Sequence, residues 1–320
     1  MDLPLLTNLD VLGKRVLLRL DLDTDPDPND LRIKASEETL NYLKEKGAEI
    51  IILGHRGRPN GKVDESLSLK PFQVLFEKWG AKVEENLRFD PGEESNDPEF
   101  AKKLATLGDC YVNEAFASSH REHASIVGLP KLLPAAVGFH FAKEIENLSK
   151  IIEDPKRPLI ILISGIKKDK LDMVEPLSHL ADKVLVGGRL PEFLGDEALV
   201  SVRLRGEDEK IIVGNLNMDK EDITLNTIDR FEKEINKAGT VVLAGVLGKY
   251  EDEGHRQGTE RIFKSIATSS AFKIAGGGDT ELAIRQLSLV DKFDWISVGG
   301  GAMLEFLTKK TLPGIEALLH

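Results

Sequence analysis

Cationic side chains recur at loop positions throughout the first half of the chain. The loop GHRGRP (54–59) follows the apolar run EIIILG and offers His55, Arg56 and Arg58; Arg88 stands in ENLRF, Arg121 in SHREH (119–123), and Arg32 just after an acidic loop. Arginine suits carboxylate and phosphate because its planar fork donates two parallel hydrogen bonds and keeps its charge at all working pH values. Taken singly, each would be a solvated cation paired with one of the many surface acids, an interaction worth little. As a recurring set they point to an anionic ligand. His120 and His123 also invite a zinc reading, but two histidines three apart without a clear third ligand are better placed on phosphate or in the scaffold.

The second half offers another kind of anion chemistry. SGIKKDK (164–170) ends an apolar run at Gly165 and supplies Lys167, Lys168 and Lys170 around Asp169, point charges suited to neutralising phosphates. IAGGGDTELAI (274–284) carries an apolar run into Gly276, Gly277 and Gly278, then into Asp279 and Thr280 at the start of a helical pattern. Glycine lets backbone N–H groups approach a phosphate, and a helix N-terminus adds its dipole. Alone, Gly-Gly-Gly-Asp reads as an N-cap about as readily as a ligand site.

Short apolar runs alternate with helical stretches and hold these residues in place: 15–20, 49–54, 110–116, 159–165, 183–188, 240–245, 272–278 and 295–301. Such alternation predicts an α/β fold with parallel sheets and crossovers, and ligands in such sheets sit beyond the carboxyl ends of the strands. With 320 residues, two domains are expected rather than one. The amphipathic segment FHFAKEIENLSKIIED (139–154) ends before Pro155 and is expected to be a helix bridging them. A net charge of -11 disfavours a general nucleic-acid surface, so any anion site must be a local basic cluster. Cys110 stands alone, which excludes an intramolecular disulfide, and its apolar setting predicts inert core. Neither a membrane span nor a basic, apolar leader is visible, which makes the cytoplasm the expected location.

In their order along the chain, RVLLRLDLD (15–23), LRI (31–33), GHRGRP, ENLRF followed by GEESNDPEFAKKLA (92–105), and VNEAFASSHREHAS (112–125) resemble successive signatures of the phosphoglycerate kinases. GGGDT and the closing segment SVGGGAMLEFLTKKTLPGIEAL (297–318) continue the likeness. The resemblance implies two Rossmann-like domains with mostly parallel sheets joined by a hinge helix: 1–150 for 3-phosphoglycerate, 151–300 for the nucleotide, and 301–320 returning to the first domain. It implies that Asp21, Asp23, Arg32, His55, Arg58, Arg88 and Arg121 bind the acid. Gly165, Lys167, Lys170, Gly188, Glu251, Gly276, Gly277, Gly278, Asp279 and Thr280 would bind ATP or ADP, with Asp279 holding Mg2+. Arg32, Lys170, Gly277 and Gly278 would be catalytic. The expected reaction is reversible transfer between 1,3-bisphosphoglycerate and ADP by a monomer, with no nucleic-acid or membrane partner.

Departures from the family pattern are concentrated in the second half. Asp23 stands where the family usually has Asn, Arg56 where it has Leu and Glu114 where it has Asp. Lys167 and Lys170 are one residue closer together than the family's two lysines, a spacing that still predicts neighbours on one helical face. Ala244 and Val246 replace an Asn and a Pro that line the nucleotide, and Arg189 stands at a glycine position. The stretches before ENLRF and between 190 and 240 are short. These changes leave an alternative open: a catalytically degenerate relative that binds a phosphorylated acid without transfer.

Overall fold

A computed structural model describes residues 2–194 and 210–319, so part of the shortened 190–240 stretch lies outside the described residues. The chain divides into two compact units, Met1–Glu146 with Thr311–His320, and Asn147–Lys310. In the first unit β1 (Arg15–Arg19), β2 (Glu49–Leu53), β3 (Lys82–Val83), β4 (Cys110–Asn113) and β5 (Ala135–Val137) form one parallel sheet in the order β3-β2-β1-β4-β5. The second unit carries β6 (Leu159–Ile163), β7 (Lys183–Val186), β8 (Ile211–Val213), β9 (Thr240–Ala244), β10 (Phe272–Gly276) and β11 (Trp295–Ser297). Their order is β11-β10-β9-β6-β7-β8, again parallel.

The central strands are continuous apolar runs because parallel strands are covered on both faces. LIILI in β6 and TVVLA in β9 are buried at every residue. Strand order reverses between β1 and β4 and again between β6 and β9, and the loops beyond the carboxyl ends at such switch points are where ligands meet open α/β sheets. Each switch point lies on an expected anion-binding stretch.

The predicted bridging segment is a helix, Phe139–Glu153, and the boundary between the units falls inside it. Its partner at the chain's far end is shorter: the helix Gly300–Lys309 belongs to the second unit, whereas the turn Pro313–Glu316 belongs to the first. There Gly314 N donates to Ser119 O at 2.9 Å, and Ala317 packs with Ala115, Ile126 and Val127. Cys110 is buried and its thiol is pushed up to about 11 by burial, as inert core requires. Among the described residues no helix is long and apolar enough to cross a membrane.

Candidate active site

At the first switch point the β1 strand ends in a fully buried arginine. Arg19 donates from Nε to Ser125 Oγ at 2.9 Å, from Nη1 to the Leu20 carbonyl, and from Nη2 to His55 Nδ1 at 2.9 Å. A guanidinium has no acceptor, so His55 Nδ1 must accept and the ring proton sits on Nε2, 4.0 Å from Asp23 Oδ2. Burial, then Arg19, Arg88, Arg121 and His123, hold the His55 pKa well below its ordinary value, so the ring is neutral. Burial, then Arg88, Arg19, Arg121 and His120, push His123 down to about 3. Arg88 is buried as well, with Nη1 donating to Gly57 O at 2.6 Å and Nε 3.2 Å from Glu94 Oε1, and its pKa is lowered by burial and by Arg121. Arg121 Nε lies 3.3 Å from His120 Nε2.

Around this cluster the loops are tied by the acids. Arg32 donates from Nη1 to the Asp23 carbonyl, and its Nε stands 3.7 Å from Asp21 Oδ2. Asp23 Oδ1 accepts from Gly57 N at 2.7 Å, which anchors the 54–59 loop. Asp21, Asp23, Arg32, His55, Arg88 and Arg121 are thereby brought to one end of the sheet. Arg58 shares the loop but is exposed, without a hydrogen bond or ion pair among the described residues. Arg56 turns away, from Nη1 to Ser66 O at 3.1 Å and from Nη2 to Asp25.

Three members of this site escape the sequence reading: Arg19, Ser125 and Glu93. Glu93 is fully buried and accepts from Ser125 Oγ at 2.6 Å and Ser125 N at 3.0 Å, so it answers the Arg19 charge through one hydroxyl. The available signal was a charge inside the apolar run RVLLRL, since a buried charge requires a partner.

Just past β4, Glu114 connects this end of the sheet to the bridging helix. Its N–H donates to Arg19 O at 2.9 Å, extending the β1–β4 ladder. Its carboxylate accepts from the Thr39 hydroxyl, from His140 N at 3.1 Å and from Phe141 N at 2.9 Å. Burial pushes the Glu114 pKa up, and the Thr39 and Phe141 donors oppose that.

At the second switch point three loops pinch together. Ser164 Oγ donates to the Val246 carbonyl. Gly245 has φ 126°, and a Cβ there would lie 2.1 Å from Ser164 O. Gly188 has φ 57°, and its Cβ would lie 2.6 Å from Ser164 Oγ. Lys170 crosses the two strand ends, with Nζ donating to Ser164 O at 2.6 Å and lying 3.4 Å from Ala244 O; beside it, Gly165 leaves room where a Cβ would meet Nζ at 3.0 Å. Lys167 is exposed and extended, just before the 3-10 segment Lys168–Met173. The two lysines therefore do not share a helical face, because Lys167 is extended and stands before the helical segment that holds Lys170.

Beyond β10, whose last residue Gly276 is buried, Gly277 has φ 109° and the nine-residue helix Gly278–Gln286 begins without a side-chain cap. Gly278 and Asp279 are exposed. Uncapped first-turn N–H groups and the positive dipole end leave this terminus open to an anion. Thr280 is buried instead, its Oγ1 accepting from Gly245 N at 2.9 Å and joining the loops after β9 and β10. Exposed Glu251, with Asp279 and Glu281, raises the Tyr250 pKa behind the larger effect of burial, so three carboxylates act on one hydroxyl.

The loop after β9 has its own supports. Val246 packs on the core, Leu247 N and Gly248 N donate to Thr259 Oγ1 at 3.0 and 3.2 Å, and Asp222 accepts from Gly258 N at 2.9 Å. Arg189 pairs with Glu192 at 3.0 Å.

Cationic side chains thus stand at one switch point, and backbone open to an anion at the other. A family model described as phosphoglycerate kinase matches residues 6–84, 80–196 and 199–310, and its breaks fall near the two shortened stretches. Phosphoglycerate kinase of Herpetosiphon aurantiacus is 36% identical over 379 aligned positions, covering 96% of each chain. That of Dictyoglomus turgidum is 35% identical over 97% of this chain and 96% of its own. The structure of phosphoglycerate kinase from Coxiella burnetii superposes with a TM-score of 0.83 at 30% identity, covering 99% of both chains. The chain belongs to the phosphoglycerate kinase family, as a shortened and divergent member. The family's reaction is reversible phosphoryl transfer between 1,3-bisphosphoglycerate and ADP, and the chain is a phosphotransferase with a carboxyl group as acceptor. Nothing among these relatives favours the degenerate alternative.

Proposed function

We propose that the chain carries out this transfer with the acid held at the first switch point and the nucleotide at the second. The observation that carries the reading is the gathering of Arg19, Arg88 and Arg121 around His55 and His123: Arg19 Nη2 lies 2.9 Å from His55 Nδ1, and both histidines are lowered by burial and then by the three arginines. Cations packed this closely are stabilised by an anion, and a phosphorylated acid supplies two anionic ends. Arg58, Arg88, Arg121 and the Nε2–H of His55 are assigned to its distal phosphate, Asp21 and Asp23 to its hydroxyl side. Arg32 is assigned to the carboxyl end where the phosphoryl group moves.

On the nucleotide side, the backbone of Gly276, Gly277 and Gly278 would cradle phosphate, while Lys167, Lys170, Gly165 and Gly188 line the strand ends beside it. Glu251 is assigned to the ribose. Thr280 contributes by holding Gly245 in place. Asp279 would hold Mg2+, which neutralises phosphate charge when bound. The fit is reasonable because Mg2+ commonly takes one or two carboxylates together with substrate phosphates and water. No group of three or more potential ligands occurs among the described residues, so the remaining ligands in this reading would be phosphate and water.

No covalent intermediate is required: positioning and electrostatic stabilisation by Arg32, Lys170 and the glycine amides suffice. Closure about the Phe139–Glu153 helix and the return near Thr311 would bring the reactants together, and small-angle scattering with and without both ligands tests it, unchanged dimensions counting against closure. We take the working form to be a cytoplasmic monomer, which sedimentation checks against a mass of 35.3 kDa. The decisive experiment is a coupled assay with 3-phosphoglycerate and several nucleoside triphosphates. Turnover is expected; bound acid with no turnover on any triphosphate would overturn the reading.

A further inference from the structure

Glu114 sits where the proposed acid-binding end of the first sheet meets a helix whose residues belong to both units. That helix, Phe139–Glu153, has no acidic residue in its first turn. A helix begins with N–H groups that no residue of its own can satisfy, and a negative charge at that end is favourable. Here the partners come from elsewhere in the fold. Phe139 N donates to Thr39 Oγ1 at 2.9 Å, while His140 N and Phe141 N donate to the two Glu114 oxygens at 3.1 and 2.9 Å. Thr39 closes the arrangement by donating its own proton to Glu114 Oε1.

The fit leaves little freedom. A Cβ on Gly138 would lie 2.2 Å from Glu114 Oε2, and Gly138 N is held by Asn113 O at 2.9 Å. On its other side Glu114 opens the loop that carries Arg121 and His123, and that loop is braced by Asn113, which accepts from Ala115 N at 3.0 Å and donates to Ser119 Oγ at 3.1 Å. One residue thus joins the ladder to Arg19, the loop that presents Arg121, and the start of the bridging helix.

We propose that Glu114 is a positioning residue for phosphoryl transfer, one that fixes the bridging helix to the acid-binding end of the sheet so that engagement of the acid sets the helix direction. The inference rests on the placement of the acid at the first switch point. Glu114 touches no reacting atom, so its loss should leave ground-state binding intact and lower the rate at which the ternary complex turns over.

Glu114→Gln presents an amide N–H to a helix N–H and breaks one of the three contacts; Glu114→Asp keeps the charge on a shorter arm; Thr39→Val removes one donor and one acceptor. Calorimetry with 3-phosphoglycerate and with Mg-ADP, steady-state kinetics, and scattering with both ligands would be run on each. Glu114→Gln is expected to lower kcat about tenfold or more with both Kd values within threefold of the parent, and to weaken the ligand-induced compaction. Glu114→Asp should recover much of kcat, and Thr39→Val should fall between parent and Gln. Unchanged kcat in a folded Gln variant, or acid affinity lost in parallel with kcat, overturns the proposal. Should the Gln variant not fold, the Asp and Val variants decide by the same split. Loss of acid affinity in Arg121→Ala tests the underlying placement separately.

Discussion

Beyond β1 and β4 the sheet end presents buried side chains, whereas beyond β6, β9 and β10 it presents backbone. The first site gathers Arg19, Arg88 and Arg121 close enough to His55 and His123 to lower both histidine pKa values, behind the larger effect of burial. The second relies on Gly188, Gly245 and Gly277, all at positive φ, and on a helix N-terminus that no side chain caps. Side-chain sites encode shape and charge together, so a single substitution alters recognition. Backbone sites encode the approach of a phosphate and say little about what is attached to it. The contrast explains why the first half keeps almost every expected residue while the second tolerates Ala244 and Val246.

The largest expected effect tests the electrostatic half of this contrast. Arg32→Ala should lower turnover by about 100- to 1,000-fold, the range for removing one donor aimed at developing charge, and weaken acid binding less. Kinetics set beside calorimetry reads this, and equal turnover in the variant would remove Arg32 from the mechanism. Next comes the acid's distal phosphate. Arg58→Ala and Arg121→Ala should each weaken 3-phosphoglycerate binding by about 1.5 to 3 kcal/mol, as for a charge-assisted contact. Unaltered affinity in both would dissolve the side-chain site.

Titration of ADP, GDP, UDP and CDP with Mg2+ probes the backbone site. Affinities within about tenfold, or 1.4 kcal/mol, are expected across the bases, with a marked loss for all of them in Asp279→Ala. A preference of several hundredfold for ADP would show a rebuilt nucleoside pocket. The supports that Thr259 and Asp222 give the 245–258 loop are where such a rebuilding would reside.

The smallest expected effects separate the regions by the sign of their pH dependence. His123 titrates at about 3 in the folded chain against an ordinary 6.5, so between those values the unfolded chain binds more protons and stability falls as pH falls. His255 lies between Asp219 at 2.8 Å and Asp252 at 3.1 Å, which raise its pKa. Its contribution is present below pH 6.5 and is lost as pH rises through the folded value. Melting curves across pH should show His123→Asn flattening the acid limb and His255→Asn flattening the neutral-to-alkaline one. The same limb affected by both would contradict the contrast.

Much of the fold was legible because the central strands are continuous apolar runs ending in glycine or in a charged residue. β3, β5 and β8 were not, since pieces of two or three residues carry no periodicity; β11 is as short, but the glycines that follow it marked its end. The cationic cluster was legible through its arginines. Arg19 was hidden inside a strand pattern, and Glu93 and Thr39 lie on helices with no local sign of the partners that tertiary packing brings to them. Lys170 reaches across two strand ends, but the extended backbone at Lys167 that parts the two lysines could not be read from spacing alone.

The placement of Thr311–His320 with the first unit bears on the timing of assembly. Those residues follow the entire second unit in the chain, so on the ribosome the unit begun first is the one completed last. Until Gly314 reaches Ser119 and Ala317 fills its place beside Ile126, the loop carrying Arg121 lacks part of its backing. A chain cut after Lys310 is therefore expected to keep a protease-resistant second unit while its first unit is digested more readily, and limited proteolysis of the two lengths would read the difference.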